Sequence, residues 1–463
     1  MIRLVPSLLA FALAGSVPAA AAAQDAAHQR QARDVYARII AFRTAAGHGQ
    51  VPAMAEYIAE TLRIGGVPAS DMLTLPHGEA VALLVRVHGT DRAARPILFS
   101  GHMDVVDARP EDWERDPFTL VEENGYFFGR GTGDNKAGIA AMVSSILRMR
   151  AEGHSPRRTL VFAFIGDEET GMQTTRLVAA HDWVRNVEYA INTDAGGGSV
   201  SEAGTPTGYW VQGAEKTYAT FRLTVRNPGG HSSRPRPDNA IYQLADALLR
   251  IREYQFPVMA NALSRTMLGI VGRTLSGETG ALLVRFSEDP EDAEAAAALR
   301  GMPEFAPDLG TTCVATMVDA GHAENALPQR AEALVNCRIF PGMSVDSVQR
   351  TLMGVVASAE VSVEVTGNPI DSPVSEPRDD VMAAIARSIR ARYPGLPITP
   401  YLESGGTDGL VYRNAGIPTW ASSGIFMKDS DMFFHGLNER IPVASFYDAL
   451  EHIHALALEL GDR

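Results

Sequence analysis

The residues from Gly101 to Gly138 decide the fold, and they read GHMDVVDARPEDWERDPFTLVEENGYFFGRGTGDNKAG. An apolar run, residues 96–99, ends just before Gly101, and His102 and Asp104 follow. This pattern is typical of a buried strand that delivers polar groups to the carboxyl edge of a sheet. Because residues i and i+2 share a strand face, Asp104 could orient His102 as a metal ligand. Taken alone, His-x-Asp is more typical of a surface histidine at a strand end.

Length and composition bound the class of protein. The chain has 463 residues, of which 46% are hydrophobic and 21% charged, as in a soluble globular protein of two or three domains. Its formal charge is −14, because 55 acidic residues outnumber 41 basic ones, and no run of Lys or Arg stands out. We therefore expect no nucleic-acid partner.

The first 23 residues predict a signal peptide. Arg3 supplies the positive charge, Leu4 to Ala14 the apolar segment, and Ala21 to Ala23 a small-residue cleavage site. The alternative is an uncleaved membrane anchor, but the apolar segment is short for a span and is followed by a proline, Pro18. We expect a periplasmic or secreted protein with no membrane contact after removal of the signal peptide.

Apolar runs that end in acidic or histidine residues plus glycine recur along the chain. Strands are predicted at 81–88, 96–100, 159–165 and 188–193, and helices at 32–42, 52–64 and 136–152. This order predicts an α/β fold, a mixed sheet flanked by helices with a site at the carboxyl edge. After about residue 213 the alternating pattern of antiparallel strands begins, and α/β character returns near residue 367.

We therefore predict an inserted α+β domain at 214–366 within a larger domain formed by 24–213 and 367–463. In the inserted domain, residues 257–310 predict an irregular, partly helical insertion. Cys313 and Cys337 lie at equal distances from residue 325 in a predicted hairpin. The two cysteines could form a disulfide, but the geometry that such a bond requires favours two buried thiols.

Acids and histidines follow several of the predicted strands and turns. The set comprises His102, Asp104, Asp134, Glu168, Glu169, Asp194 and, near the end of the chain, His435. Two histidines with three or four carboxylates suit a pair of Zn²⁺ ions that share one bridging acid. Each member alone is commonly a surface or capping residue. Together they indicate a metal site, because all of them stand at predicted strand ends or turns.

These motifs resemble those of the M20 family of dinuclear zinc peptidases and amidohydrolases. The resemblance implies that His102 and Asp194 hold one Zn²⁺, that Glu169 and His435 hold a second, and that Asp134 bridges them. It also implies that Asp104 orients His102 and that Glu168 is the general base. Co²⁺ or Mn²⁺ could replace zinc. A cis peptide bond after Asp134 is a further expectation.

The inserted domain resembles the lid of this family, which often also forms a homodimer. By that resemblance His231, in Gly-Gly-His-Ser, stabilises the oxyanion, commonly across the dimer. Asn325 and Arg338 match lid positions that contact substrate. Gly405 and Gly406 match a loop that offers backbone groups to the substrate carboxylate. Without the resemblance, Arg338 is as well explained by a surface salt bridge.

The predicted function is zinc-dependent hydrolysis of an amide or peptide bond in a small substrate with a free carboxylate. Peptide or dipeptide cleavage is favoured over hydrolysis of an N-acyl amino acid. An M28-like aminopeptidase shares the ligand types, but the 241 residues between Asp194 and His435 (435 − 194) speak against it. A binding protein with an inactive site is disfavoured by the complete ligand set and Glu168.

Overall fold

The computed structural model of the chain describes residues 19–463. Its α-helices are α1 (Ala19–Ile40), α2 (Val51–Ile64), α3 (Lys136–Ala151), α4 (Gln173–Ala180), α5 (Ala240–Glu253), α6 (Ala262–Thr274), α7 (Glu278–Glu288), α8 (Ala293–Arg300), α9 (Val345–Val356), α10 (Asp379–Arg390), α11 (Gly409–Asn414) and α12 (Val443–Gly461). Its strands are β1 (Met72–His77), β2 (Ala80–Val87), β3 (Ile97–His102), β4 (Val121–Glu123), β5 (Tyr126–Phe128), β6 (Leu160–Ile165), β7 (Ala190–Asn192), β8 (Gly197–Val200), β9 (Pro206–Glu215), β10 (Thr217–Arg226), β11 (Gly230–His231), β12 (Thr312–Ala320), β13 (Ala326–Leu327), β14 (Arg330–Ile339), β15 (Val361–Thr366), β16 (Ile398–Glu403), β17 (Thr419–Ala421), β18 (Phe426–Lys428) and β19 (Arg440–Pro442).

A large mixed sheet forms the centre of the fold, as the sequence predicts. Its strand order is β1-β2-β6-β3-β7-β17-β9-β8-β18, and β16 pairs with β9. The neighbours β6, β3 and β7 run parallel to one another. Their carboxyl ends therefore meet at one edge, where the polar side chains that follow each strand come together.

Both faces of this sheet are covered, which explains why its central strands are almost wholly apolar. In β6, Leu160, Phe162 and Phe164 belong to the core shared with α1, α2, α3, α10 and α12. The alternate residues, Val161, Ala163 and Ile165, belong to the opposite core with α4 and α11. All six are buried.

A second, four-stranded antiparallel sheet has the order β12-β14-β10-β15 and packs against α5 and α9. The register places Cys313 opposite Cys337, and the two form a disulfide. The expectation of two free thiols is wrong, because the cysteines face each other directly across the strand pair. The predicted domain boundaries near residues 213 and 367 stay a prediction.

The segment 257–310 is more regular than predicted. It forms α6, α7 and α8, whose apolar residues Met267, Leu283 and Phe286 make a core of their own. Trp210 of β9 and Tyr401 of β16 pack against that core. The insertion therefore supports strands of the large sheet, which the sequence did not indicate.

Most of the predicted signal peptide, residues 1–18, lies outside the described residues. Within residues 19–463, no helix combines the length and the apolar character that a membrane crossing requires.

Candidate active site

The ends of three neighbouring strands and two loops bring the predicted ligand residues together. His102 is the last residue of β3, Asp194 follows β7, and Glu168 and Glu169 follow β6. Asp134 stands in the turn before α3, and His435 in the loop between β18 and β19. The peptide bond between Asp134 and Asn135 is cis, as the resemblance implies.

Asp134 lies between the two histidines. Its Oδ1 is 2.9 Å from His102 Nε2, and its Oδ2 is 3.0 Å from His435 Nε2. His102 Nε2 also lies 3.0 Å from Asp194 Oδ1, and His435 Nε2 lies 3.0 Å from Glu169 Oε1. Each histidine therefore faces one oxygen of Asp134 and the carboxylate of one further acid that the other histidine does not face. These spacings are close to the edge of a tetrahedron around Zn²⁺, about 3.3 Å for bonds of about 2.0–2.1 Å.

The carboxylates of the site change the proton affinities of their neighbours. Hydrogen bonds to Asp134 and Glu169 raise the pKa of His435 to about 10. Burial raises the pKa of Asp194 to about 7. Burial, followed by the Asp194 carboxylate, raises the pKa of Glu168 well above its ordinary value. A cluster that draws protons onto an imidazole in this way also attracts divalent cations, so the donor set fits a metal pair.

Asp104 connects His102 with the two glutamates. The Nδ1 of His102 lies 3.0 Å from the Asp104 carbonyl oxygen and 3.5 Å from its carboxylate. That carboxylate accepts hydrogen bonds from the backbone N–H groups of Glu168 and Glu169 at 3.1 and 3.0 Å. Asp104 therefore fixes the turn in which the two glutamates stand as well as the histidine.

A buried ion pair joins the two loops of the site. Glu439 Oε2 accepts hydrogen bonds from Arg130 Nη1 at 2.8 Å and from Gly131 N at 2.9 Å. Its Oε1 accepts from Gly133 N and Asp134 N. Arg130 in turn donates to the carbonyl oxygen of Gly436, the residue after His435. Neither charged residue of this pair was predicted from the sequence.

His435 stands on the open side of the site. Its side chain is 52% exposed, whereas that of His102 is 1% exposed. The backbone φ of His435 is +61°, a left-handed conformation that costs a residue other than glycine about 1–3 kcal/mol. The contact between Arg130 and Gly436 helps to hold this turn in place.

The predicted substrate-binding residues fall into two places. Arg338 on β14 donates a hydrogen bond to the carbonyl oxygen of Ser404, beside Gly405 and Gly406. His231 and Asn325 lie together on β11 and the turn before β13, and both are exposed. Among the described residues, no hydrogen bond or ion pair joins these two to the metal-ligand set. The structure thus brings Arg338, but not His231, next to a loop of the large sheet.

A cavity of about 440 Å³ opens beside Asp194 and Gly133. Most of its wall is apolar and comes from Trp210, Tyr401, Ile425, Met427, Met432 and Phe434. Phe434 immediately precedes His435, so the cavity reaches both halves of the ligand set. The sequence did not predict it, because its walls come from β9, β16, β18 and the loop that follows β18.

A sheet that gathers two histidines and four carboxylates at one edge is typical of metal-dependent hydrolases. Comparison with known proteins shows to which family of hydrolases the chain belongs. Residues 98–459 match the model of peptidase family M20/M25/M40. The chain therefore belongs to this family and is a hydrolase that acts on amide or peptide bonds.

Curated relatives of two kinds are similar to the chain. The N-fatty-acyl-amino acid synthase/hydrolase PM20D1 of Xenopus tropicalis is 29% identical over 374 residues, which cover 77% of this chain and 71% of that protein. The probable carboxypeptidase S-like 2 of Dictyostelium discoideum is 26% identical over 391 residues, 81% of this chain and 73% of that protein.

Two solved structures share the fold. The M20 family metallo-carboxypeptidase Sso-CP2 from Sulfolobus solfataricus has a TM-score of 0.67 at 18% identity, over 93% of this chain and 99% of that one. The Bacillus subtilis YXEP protein, described as a dinuclear metal-binding peptidase of the M20 family, has a TM-score of 0.58 at 13% identity, over 94% and 99% of the chains.

Proposed function

We propose that the protein is an exported, metal-dependent hydrolase that cleaves the amide bond of a small substrate with a free carboxylate. The observation that carries the proposal is the position of Asp134, whose two oxygens each face a different histidine at 2.9 and 3.0 Å. A bridging carboxylate of this kind is what a two-metal hydrolytic site requires.

The proposed cofactor is a pair of Zn²⁺ ions, for which Co²⁺ or Mn²⁺ could substitute. His102 and Asp194 would hold one ion, Glu169 and His435 the other, and Asp134 would bridge them. When bound, such a pair lowers the pKa of a water molecule and polarises a carbonyl group. The description of the Bacillus subtilis YXEP protein as dinuclear supports the number of ions.

Glu168 is the proposed general base. Its carboxylate accepts a proton from the attacking water and returns it to the leaving nitrogen. Its backbone is held by Asp104, and one of its oxygens lies within 4.8 Å of donor atoms of His102 and Asp194. Glu168 therefore lies beside the proposed metal ligands, while each histidine already has two other carboxylate partners.

Arg338 is the proposed partner of the substrate carboxylate. Its guanidinium stands beside the Ser404–Gly406 loop and 4.7 Å from the ring of Tyr218. The planar fork of an arginine suits a carboxylate, and the backbone of Gly405 and Gly406 would complete the site. This arrangement favours substrates with a free carboxylate next to the scissile bond.

We propose a homodimer that brings His231 of one subunit, with Asn325, to the site of the other. Among residues 19–463 the edge strand β12 pairs only with β14, and we propose that its other edge pairs with a second copy. Exposed apolar residues continue from this strand onto the adjacent helix α5, and they comprise Val314, Met317, Val318, Ile241, Tyr242 and Leu249. A self-complementary face of this kind suits a two-fold symmetric pair.

Export is proposed from the signal-peptide pattern of residues 1–23. The disulfide between Cys313 and Cys337 supports it, because disulfides persist mainly in oxidising compartments. On the same two observations we propose a periplasmic or secreted location.

Two substrate classes fit this site, and the relatives carry both names. One is a peptide or dipeptide cleaved at its carboxyl end, and the other is an N-acyl amino acid. The test is a panel of dipeptides and N-acyl amino acids incubated with the zinc-loaded protein, with and without a chelator. Chelator-sensitive hydrolysis of free-carboxylate substrates supports the proposal, and turnover that survives complete removal of metal contradicts it.

A further inference from the structure

Lys216 lies at the junction of the two sheets, between β9 of the large sheet and β10 of the four-stranded sheet. It is only 4% exposed, and a lysine is rarely buried unless its charge has partners. Its Nζ donates hydrogen bonds to the carbonyl oxygens of Pro307 and Gly310, the second at 2.8 Å. Both acceptors stand at the end of the insertion at 257–310. A buried cation therefore fastens the junction to the insertion.

The insertion also shares a small core with both sheets. Leu263 of α6 packs with Ala214 of β9 and Leu402 of β16, which belong to the large sheet. The same core contains Phe340, which directly follows β14 of the four-stranded sheet. All four side chains are buried. A rotation of one sheet against the other would expose this apolar surface to water, which is unfavourable.

The chain returns from the four-stranded sheet to the large sheet through residues 367–375, and hydrogen bonds tie this return to the first connection. Ser372 N donates to Thr217 Oγ1 at 2.8 Å, and Ser375 N donates to the Gly213 carbonyl oxygen at 2.8 Å. A Cβ at Gly213 would lie 2.9 Å from a side chain of α6 and 2.9 Å from the Ser375 carbonyl oxygen. Both connections are therefore held by their neighbours, whereas a hinge needs backbone that can rotate.

This arrangement decides the position of Arg338. Arg338 lies on β14, two residues before Phe340, and donates a hydrogen bond to the carbonyl oxygen of Ser404, directly after β16. The proposed carboxylate contact thus combines a side chain of the four-stranded sheet with the backbone of Gly405 and Gly406 in a loop of the large sheet. Its geometry depends on how the two sheets are oriented.

We propose, on the basis of the function proposed above, that the insertion locks the four-stranded sheet against the large sheet and so preorganises the carboxylate-binding site. Lys216 is a positioning residue in this lock: it acts through Arg338 and does not touch substrate. A site that has its binding geometry before substrate arrives avoids the free-energy cost of ordering a mobile lid. The two sheets should therefore keep one relative orientation in the absence of substrate.

A distance between two spin labels tests the lock. The labels would be attached to cysteines introduced at Leu177 and Met353, which are exposed. Leu177 lies on α4, which packs against the large sheet, and Met353 lies on α9, which packs against the four-stranded sheet. Both native cysteines form the disulfide, so the labels attach only at the introduced sites. In the zinc-loaded protein without substrate, the distance distribution should be a single narrow peak.

Two independent variants should broaden that peak. Lys216→Met keeps the apolar stem but loses both hydrogen bonds to the insertion, and Leu263→Ala removes apolar contact between α6 and the two sheets. Lys428→Met is the matched control. Lys428 also donates to a backbone carbonyl oxygen, that of Glu202 at 3.1 Å, but this contact stays within the large sheet and its loops. The control should keep the narrow peak.

A kinetic test distinguishes positioning of Arg338 from a general loss of stability. Lys216→Met should lower kcat/KM for free-carboxylate substrates by about tenfold, because a small displacement of Arg338 weakens its hydrogen bond to the charged group. The poor activity toward amidated versions of the same substrates should change little. An equal loss toward free and amidated substrates would overturn the role of Lys216 in positioning Arg338.

The outcomes separate the lock from the hydrolase proposal. A broad or double peak in the wild type would overturn the lock, as would narrow peaks in both Lys216→Met and Leu263→Ala. Chelator-sensitive hydrolysis would leave the hydrolase proposal standing in either case. If no protein hydrolyses any substrate, but the peak is narrow in the wild type and broad in the two variants, the hydrolase proposal fails and the lock stands.

Discussion

The carboxylate of Glu439 accepts a hydrogen bond at 3.2 Å from the backbone N–H of Asp134, the acid that lies between the two histidines. Glu439 follows His435 by four residues, so one buried side chain links the loops that carry two of the predicted metal ligands. Its pairing with Arg130 at 2.8 Å neutralises it within the protein. The distance between Asp134 and His435 is thus set by a residue that contacts neither imidazole.

Replacement of Glu439 by Gln should destabilise the protein and weaken metal binding. The change leaves the Arg130 guanidinium buried without its counter-charge, which typically costs about 3–5 kcal/mol. Urea unfolding and metal content would measure the two effects. Glu122→Gln is the control, because Glu122 pairs with Arg33 through side chains that are 45% and 42% exposed, and such surface pairs contribute about 0–1 kcal/mol. Equal losses in the two variants would contradict a special role for Glu439.

The adjacent glutamates should give opposite phenotypes. Glu168→Gln should keep the metals but reduce kcat by roughly 10²–10⁴-fold, because the proton acceptor is lost. Glu169→Gln should lose metal, because Glu169 Oε1 is the oxygen that faces His435. Steady-state rates and elemental analysis of both variants decide the assignment, and exchanged phenotypes would reverse the two roles.

Arg338→Ala should weaken substrates that carry a free carboxylate. Loss of a hydrogen bond to a charged group, about 1.5–3 kcal/mol, corresponds to roughly 10–100-fold in kcat/KM. Amidated versions of the same substrates should be poor for both enzymes. Arg222→Ala is the control, because Arg222 is an exposed arginine of the same four-stranded sheet. An unchanged ratio between free and amidated substrates in Arg338→Ala would exclude the carboxylate contact.

Stability should fall as the solution becomes acidic, in part because of His452. Burial lowers the pKa of His452 to about 3, and Ser388 and Ser422 hydrogen-bond its two ring nitrogens. Between pH about 6.5 and 3 the unfolded chain binds a proton that the folded protein does not, so stability is complete above that window and is lost below it. The slope from this group is about 1.4 kcal/mol per pH unit.

Denaturant unfolding of the wild type and of His452→Gln at several pH values would measure this contribution. The difference between their free energies of unfolding should shrink as the pH falls from about 6.5 to 4. Parallel profiles for the two proteins would show that His452 does not supply the acid sensitivity.

The sequence predicted the ligand set because each member follows a local signal. His102 is the last residue of an apolar strand, Glu168 and Asp194 follow two others within three residues, and strand order then brings them to one edge. Glu439 and Arg130 carried no such signal, because their partnership joins residues 309 positions apart. The disulfide was not predicted because the strand register indicates that Cys313 and Cys337 lie opposite each other but does not indicate whether they are bonded.

The cavity was not predicted because proline and glycine weaken the sequence patterns of the strand that lines it and of the helices that support it. Pro400 interrupts the strand pattern of β16. The strand tolerates this proline because, in the described part of the chain, β16 pairs with β9 alone. Gly272 and Gly280 lower the helical signal of α6 and α7, yet a Cβ at Gly280 would lie 2.2 Å from the Leu275 carbonyl oxygen. Close packing of α6 and α7 therefore requires glycines, although glycines weaken the helical pattern in the sequence.

We propose that two metal ions act together around Asp134, and titration of the protein with metal would show whether both are needed. Metal-stripped protein would receive increasing Zn²⁺, with bound metal and amide hydrolysis measured in the same samples. If two ions act together, the protein should bind two equivalents, and activity should reach its plateau only when the second is bound. Full activity at one equivalent, or with no metal bound, would contradict it.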